Sequence, residues 1–403
     1  MTSSEDRAAL VRQTGRALLV CGLLLVSFNL RPALTSLSPL LDVVREELGL
    51  SHTVMGALTL LPILCFGIFP LAAMRLADRI GMTRGLLVAV AITGVAVALR
   101  AGLESGGGQV PLLFGTVLLA GIGIAIAQTL LPVLIKQHFP DRAVLVMGLY
   151  SIMMTVGAGT SAGLTAPLMN HFGSWSAALA IWALPALLAF IVWLPIARRQ
   201  DTTHAARPGG LKLPWRSGLA WHITLVSGAV FSLFWSVLTW LAPAYQAQGI
   251  SVEGAGALLA LVTGTQVVST LIISALANRS ADRRPWFALC LITAAVGFVG
   301  IAFHPAIVPP WVLALLIGVG IGAIFPLALL LPFDAATDVE TTGRLSAMAL
   351  SVGYLFAALG PFVMGWLRGL TGDYTVPFLA LAVLAIGTLL AILGLRPGKT
   401  VES

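Results

Sequence analysis

One arginine stands far from any loop. Arg31 interrupts an otherwise uncharged run, residues 17–41, of the 403-residue chain. A guanidinium at that depth in a membrane costs about 2.5–3.5 kcal/mol on insertion scales, so it faces a cavity or a partner. No acidic mate is at hand, because none of the long apolar runs holds Asp or Glu. That leaves capture of a small planar anion, whose flat edge matches the guanidinium fork bidentately. The competing reading has Arg31 bonding carbonyls freed near Pro32 or snorkelling outward.

Helical spacing puts Ser27, Arg31, Thr35 and Ser38 on one face, and Asn29 completes the candidate set from this stretch. A matching stripe, Phe231, Trp235, Thr239 and Pro243, recurs in the second half, its first three members each 204 residues after Ser27, Arg31 and Thr35. Trp235 thus occupies the place of Arg31: either pseudo-symmetry sets a cationic and an aromatic wall across one cavity, or Trp235, like Trp240, is core or a lipid-interface anchor. Other polar groups inside apolar runs are Gln128, Gln266 with Thr263 and Thr270, and the pair Tyr150 and Tyr354, again 204 apart. Such amides either touch substrate or hold helices together, and the tyrosines either donate hydroxyls or pack.

The elements that position these residues follow from composition. Hydrophobic residues make up 58% of the chain and charged ones only 10%, against about 25% charged in soluble domains. That excludes a soluble enzyme and predicts an all-α protein embedded in a lipid bilayer. Ten uncharged runs appear, and two of them are long enough for two helices. One breaks at Asn170-His171-Phe172-Gly173 and the other between His304-Pro305 and Pro309-Pro310. At about 20 residues per crossing, twelve transmembrane helices result. The polar start, Met1 to Asp6, reads as no cleaved signal peptide.

Lys and Arg orient the chain. With the N-terminus inside, nineteen lie on the inner side and three, Arg45, Arg100 and Arg368, on the outer side. Both termini are therefore expected in the cytoplasm. The net charge of +7 follows this topology, so no nucleic-acid partner is expected. The expected division is a tail at 1–16, a six-helix bundle at 17–197, a basic linker at 198–217, a second bundle at 218–395 and a tail at 396–403. Matches such as Ala77-Asp78-Arg79 with Ala277-Asn278-Arg279, and Arg84 with Arg284, hold at an offset of 200. Duplicated bundles with a site between them suit alternating-access transport. Cys21, Cys65 and Cys290 lie in apolar runs without disulfide or metal spacing. No metal, nucleotide or other cofactor motif is present, and no span pairs a nucleophile with a base, so no enzyme is expected.

Asp78-Arg79-Ile80-Gly81-Met82-Thr83-Arg84 resembles the Asp-Arg-x-Gly-Arg-Arg/Lys loop signature of the major facilitator superfamily, with Met82-Thr83 interrupting its basic pair. The resemblance implies that superfamily's fold of two pseudo-symmetric six-helix bundles and a gating role for Asp78, with Arg79, Arg84 and Arg142 as partners. Phe28-Asn29-Leu30-Arg31-Pro32 with Thr35-Ser36-Leu37-Ser38-Pro39 is similar to the cyanate-transporter branch, which also contains nitroimidazole exporters. The function this implies is a secondary transporter of a small anionic or polar planar solute in the bacterial cytoplasmic membrane, working as a monomer and coupled to a proton or counter-ion. Arg31 is its central cation. The alternative is a multidrug antiporter of the same fold with Arg31 structural. Gly148, Gly157, Gly159 and Gly163 suggest that antiporter's glycine signature, though Ser161-Ala162 replaces its Gly-Pro. The six histidines are expected in loops or near span ends.

Overall fold

The structure is a computed structural model that describes residues 4–104, 108–139, 142–199, 213–277, 279–280, 282–303, 307–336 and 339–395. Most of the expected linker and the whole C-terminal tail lie outside the described residues. Lipid offers no hydrogen bonds to the backbone, so apolar runs of this length must satisfy themselves as helices.

Span 1 is built from α1 (Ser4–Asn29), α2 (Pro32–Thr35) and α3 (Leu37–Glu47). Span 2 is α4 (His52–Ile68) followed by α5 (Pro70–Ile80), bent by 56° at Phe69-Pro70. Spans 3 to 5 are α6 (Met82–Ala98), α7 (Gln109–His138) and α8 (Ala143–Phe172); span 6 joins α9 (Trp175–Ala180) to α10 (Ala183–Arg199). The second half supplies α11 (Gly218–Ala247), α12 (Val252–Ala277), α13 (Arg284–Phe303), α14 (Pro310–Asp334), α15 (Val339–Thr371) and α16 (Thr375–Gly394). Eleven segments are long and apolar enough to cross a membrane, and the bent second span makes twelve. Both expected breaks appear, at the left-handed Gly173 and between Phe303 and Pro310.

The repeat is visible in how helices meet. In α7, a Cβ added at Gly123 would lie 2.7 Å from the Ala89 carbonyl of α6. In α14, one added at Gly320 would lie 2.7 Å from the Cys290 carbonyl of α13. Each glycine thus lets the fourth helix of its half press against the backbone of the third. Gly320→Ala is expected to lower thermal stability by about 1–3 kcal/mol, the usual cost of overpacking a filled interface. Thermal unfolding in detergent checks this.

Between the halves, the described hydrogen bonds gather at the face opposite the termini. Ser38 Oγ donates to the Thr239 carbonyl at 2.8 Å, and Gln246 Nε2 donates to the Pro39 carbonyl at 2.7 Å. Asn170 donates to Glu253, while α8 lies along α12 and α4 along α15. That face is sealed.

Candidate functional site

Span 1 breaks where Arg31 sits. Proline has no N–H and its ring clashes with the preceding turn, so α1 stops at Asn29 and α2 restarts with Pro32 at its first position. The Arg31 carbonyl is fully used, by the N–H groups of Leu34 (2.9 Å) and Thr35 (3.0 Å) and by Thr35 Oγ1 (3.0 Å). The helix runs on to Glu47, beyond the apolar run that ends at Leu41. Arg31 therefore falls fourteen residues after Ala17 and sixteen before Glu47, near the middle of this apolar segment.

The guanidinium is buried, with only 4% of the residue exposed. No side chain or carbonyl among the described residues accepts a hydrogen bond from it, and Nη1 is enclosed without a partner. It lies over aromatic rings instead, with Cζ 4.7 Å from the Trp235 ring centroid and 5.6 Å from that of Phe234. Tyr354 and Tyr150 stand within electrostatic reach. The wall continues through Phe66, 5.4 Å from Trp235 and 5.6 Å from Tyr354, and through Phe231, stacked on Tyr354 at 4.9 Å. Phe325 closes the ring at 4.8 Å from Phe231 and 5.0 Å from Phe234. Both halves contribute. A cation–π contact in a desolvated site is worth about 2 kcal/mol, which offsets part of the burial cost and satisfies none of the donors.

Several expected residues join this constellation. Gln128 lies near Tyr354 and keeps Oε1 enclosed without a partner. Trp235 Nε1 is likewise enclosed and unpaired. Thr35 and Thr239 line a small cavity with Thr59 and Trp235, about 30 Å³ in volume. Thr35 Oγ1 also meets Ser161 Oγ at 2.6 Å.

Others are placed elsewhere. Asn29 Nδ2 donates to the carbonyls of Leu25 (2.7 Å) and Pro185 (3.0 Å), which ties span 1 to span 6. Ser27 Oγ turns back onto the Leu23 carbonyl. Gln266 packs its backbone beneath Gly322, with Nε2 enclosed and unpaired, and no described contact joins it to Arg31. Asp78 is half-buried, Arg79, Arg84 and Arg142 are exposed, and no ion pair joins any of them among the described residues. In the second half, the equivalent loop pairs Arg284 with Asp282 at 3.1 Å, holding that carboxyl below its ordinary range. Three glycines of α8 serve packing: Gly157 abuts the Phe28 carbonyl, while Gly159 and Gly163 abut Thr263 and Ala260 of α12; Gly148 faces open space.

Sequence reasoning missed two things here. Phe66, Phe234 and Phe325 carry no signal inside uniformly apolar runs, although Phe234 adjoins Trp235. Arg100, expected in an outer loop, is wholly buried in a short turn at Leu99–Gly102. Its Nη2 donates to the Ala33 carbonyl at 2.8 Å, two residues beyond Arg31, and its Nε and Nη1 have no partner.

Twelve membrane-long helices in two pseudo-symmetric six-helix bundles define the class of fold. The Major Facilitator Superfamily profile matches residues 23–361 and 224–403, and the chain belongs to that family. It is 34% identical over 377 residues to the cyanate transport protein CynX of Escherichia coli (strain K12), covering 93% of this chain and 96% of that protein. It is 36% identical over 394 residues to the 2-nitroimidazole transporter of the same strain, covering 96% and 97%. Such relatives are transporters rather than enzymes. The nucleoside transporter NupG has the same fold, with a TM-score of 0.76 at 13% identity over 93% of this chain and 99% of that one. The inward-open xylose transporter XylE of E. coli also shares it, with a TM-score of 0.74 at 15% identity over 95% and 97%.

Proposed function

We propose that this chain carries a small planar solute with an anionic or electron-rich edge across the bacterial cytoplasmic membrane, and that Arg31 binds that edge. One observation carries the reading: a buried guanidinium near the middle of span 1, stacked on Trp235, with a donor that no protein group accepts. A buried donor left unpaired costs about 1–3 kcal/mol, more when charged, and a cargo that accepts from it recovers that cost. Cyanate is a small anion. A nitro-heterocycle offers two oxygens to the fork and a flat ring to the aromatic wall. Relatives named for these two solutes support the class.

Transport follows if the halves rock about this site, opening the sealed face in one state and the opposite face in the other. Asp78, Arg79, Arg84 and Arg142 belong to the face that carries the termini, where we place a second gate. With the termini in the cytoplasm, a monovalent anion gains about 2.3 kcal/mol per 100 mV on leaving an inside-negative cell. An uncoupled carrier then exports, whereas uptake needs a co-moving cation or an exchanged anion. The alternative, a multidrug antiporter of the same fold with Arg31 structural, differs in its expected cargo: uncharged or cationic solutes would compete for transport.

Counterflow in proteoliposomes tests the reading. Labelled cyanate and labelled 2-nitroimidazole should each be tried against an excess of unlabelled solute inside. Saturable accumulation of at least one is expected. No accumulation of either, from protein shown to be folded, contradicts the proposed substrate class.

A further inference from the structure

The sealed face holds a charged cluster that the anion site does not use. At its centre is His52, the first residue of α4, which the sequence placed in a loop. Its Nδ1 lies 3.8 Å from Asp42 Oδ1 and is enclosed without a hydrogen bond. Asp42 is already engaged by Arg45 Nε at 3.0 Å, and Arg45 Nη2 also holds Glu46 at 2.7 Å. All four belong to the first half.

The second half faces them with Trp240, whose ring centroid is 6.4 Å from that of the imidazole, and with Arg368 and Tyr374. Arg368 Cζ lies 4.9 Å from the Tyr374 ring centroid, and that ring is 6.2 Å from Trp240. Beyond burial itself, Arg45, Asp42 and Arg368 act electrostatically on His52, in that order of size; Arg45 and Asp42 belong to its own half and Arg368 to the other. The exposed Asp373 caps α16 through the Thr375 N–H.

Charge arithmetic gives the sign. With His52 neutral, the charged groups that act on it, Arg45, Arg368 and Asp42, already sum to one positive charge. A proton on His52 adds one positive charge to a closed seam. Asp42 is the nearest carboxylate, but Arg45 sits closer to it than His52 does. An attraction between His52 and Asp42 also lies within one half, so it does nothing to hold the halves together. Repulsion from Arg368 acts across the seam. Closing the seam also strips water from the imidazole, which costs far more when the ring is charged.

We propose that His52 is a proton-binding site that sets the state of this face: neutral, it lets the halves seal, and a proton taken up there opens them. An ordinary imidazole titrates near pH 6.5, and closure opposes its charged form, so the seam is closed above that value and opens as the pH falls below it. It supplies a proton-responsive element to a carrier whose spans hold no carboxylate near their middles. The inference shares with the proposed function only the rocking of the halves.

Spin labels on the exposed Glu47→Cys and Ala247→Cys, with the three native cysteines replaced, read the separation across this face by electron–electron resonance. The ratio of separated to close populations is expected to rise at least tenfold from pH 8 to pH 5. His52→Gln should remain close at both values, and His52→Lys separated at both. His52→Asn serves if the Gln variant does not fold. A pH response that survives in His52→Gln or His52→Asn overturns the switch. A pair that opens in a Gly256→Ala control but ignores both pH and His52→Lys also overturns it, with the rocking left standing. A pair that opens under none of these conditions overturns both.

Discussion

Replacing Arg31 with Met is expected to make the protein more stable and to stop it carrying its solute. The two effects have separate origins. Removing a charge from the middle of a span relieves about 2.5–3.5 kcal/mol and forfeits a cation–π contact of about 2 kcal/mol, so stability rises by about 1 kcal/mol. Charge-assisted hydrogen bonds are worth about 1.5–3 kcal/mol each, so losing a bidentate pair weakens binding more than about 100-fold. Arg31→Lys keeps the charge and loses the fork, and should bind with intermediate affinity. Thermal unfolding and proteoliposome flux, measured on the same preparations, check both. A structural arginine behaves the other way: its loss lowers stability and reduces flux only as folded protein is lost.

Gly256→Ala is expected to leave the fold intact and drive the sealed face open. A Cβ at this position would lie 2.5 Å from the Ala162 carbonyl of the other half. Backbone at both sides cannot yield as a flexible side chain can, so the overlap is relieved by separating the halves. An overpacking cost of about 1–3 kcal/mol, applied to one of two states, shifts their ratio about 5- to 150-fold. Alkylation of a cysteine introduced behind the seam, at Thr239, reports the shift as faster labelling. Gly320→Ala is the control, because its clash lies within one half. It should lower thermal stability without changing the labelling rate.

How far the sequence foretold this site depends on which physical signal each residue leaves. Arg31 was legible because a charge inside an apolar run violates the solvent it sits in. Trp235 was legible only through the repeat, as the residue 204 positions on, and the structure brings the two into direct contact. Its neighbour in the same run, Trp240, leaves an identical local signal and proves to be packing, with Nε1 donating to the Pro361 carbonyl at 2.8 Å. Asn29 looked as exposed to cargo as Arg31, but carbonyls of Leu25 and Pro185 claim its amide. Nothing in residue order reports which carbonyl lies within reach.

The charges at span ends were read less well, for a different reason. Counting uncharged runs ends a helix at its first Asp or Arg, whereas the helices run several residues further. Asp42, Arg45 and Arg368 therefore belong to helices, and His52 opens one, so a set of loop charges becomes a seam between halves. Arg100 follows the same pattern: the end of an apolar run turns inward and buries a guanidinium against span 1. The twelve spans themselves followed from composition alone, because lipid permits an apolar run of that length so few other conformations.

The most direct test of Arg31 as the solute-binding group is to see where a heavy anion rests. Selenocyanate has the shape and charge of a small linear anion, and its selenium gives an anomalous signal in crystals grown with it. The expected peak lies against the Arg31 fork and the Trp235 ring, and it disappears in crystals of Arg31→Met grown under the same conditions. A peak that persists in that variant, or a guanidinium found bonded to carbonyls of its own chain with the anion elsewhere, would contradict the account.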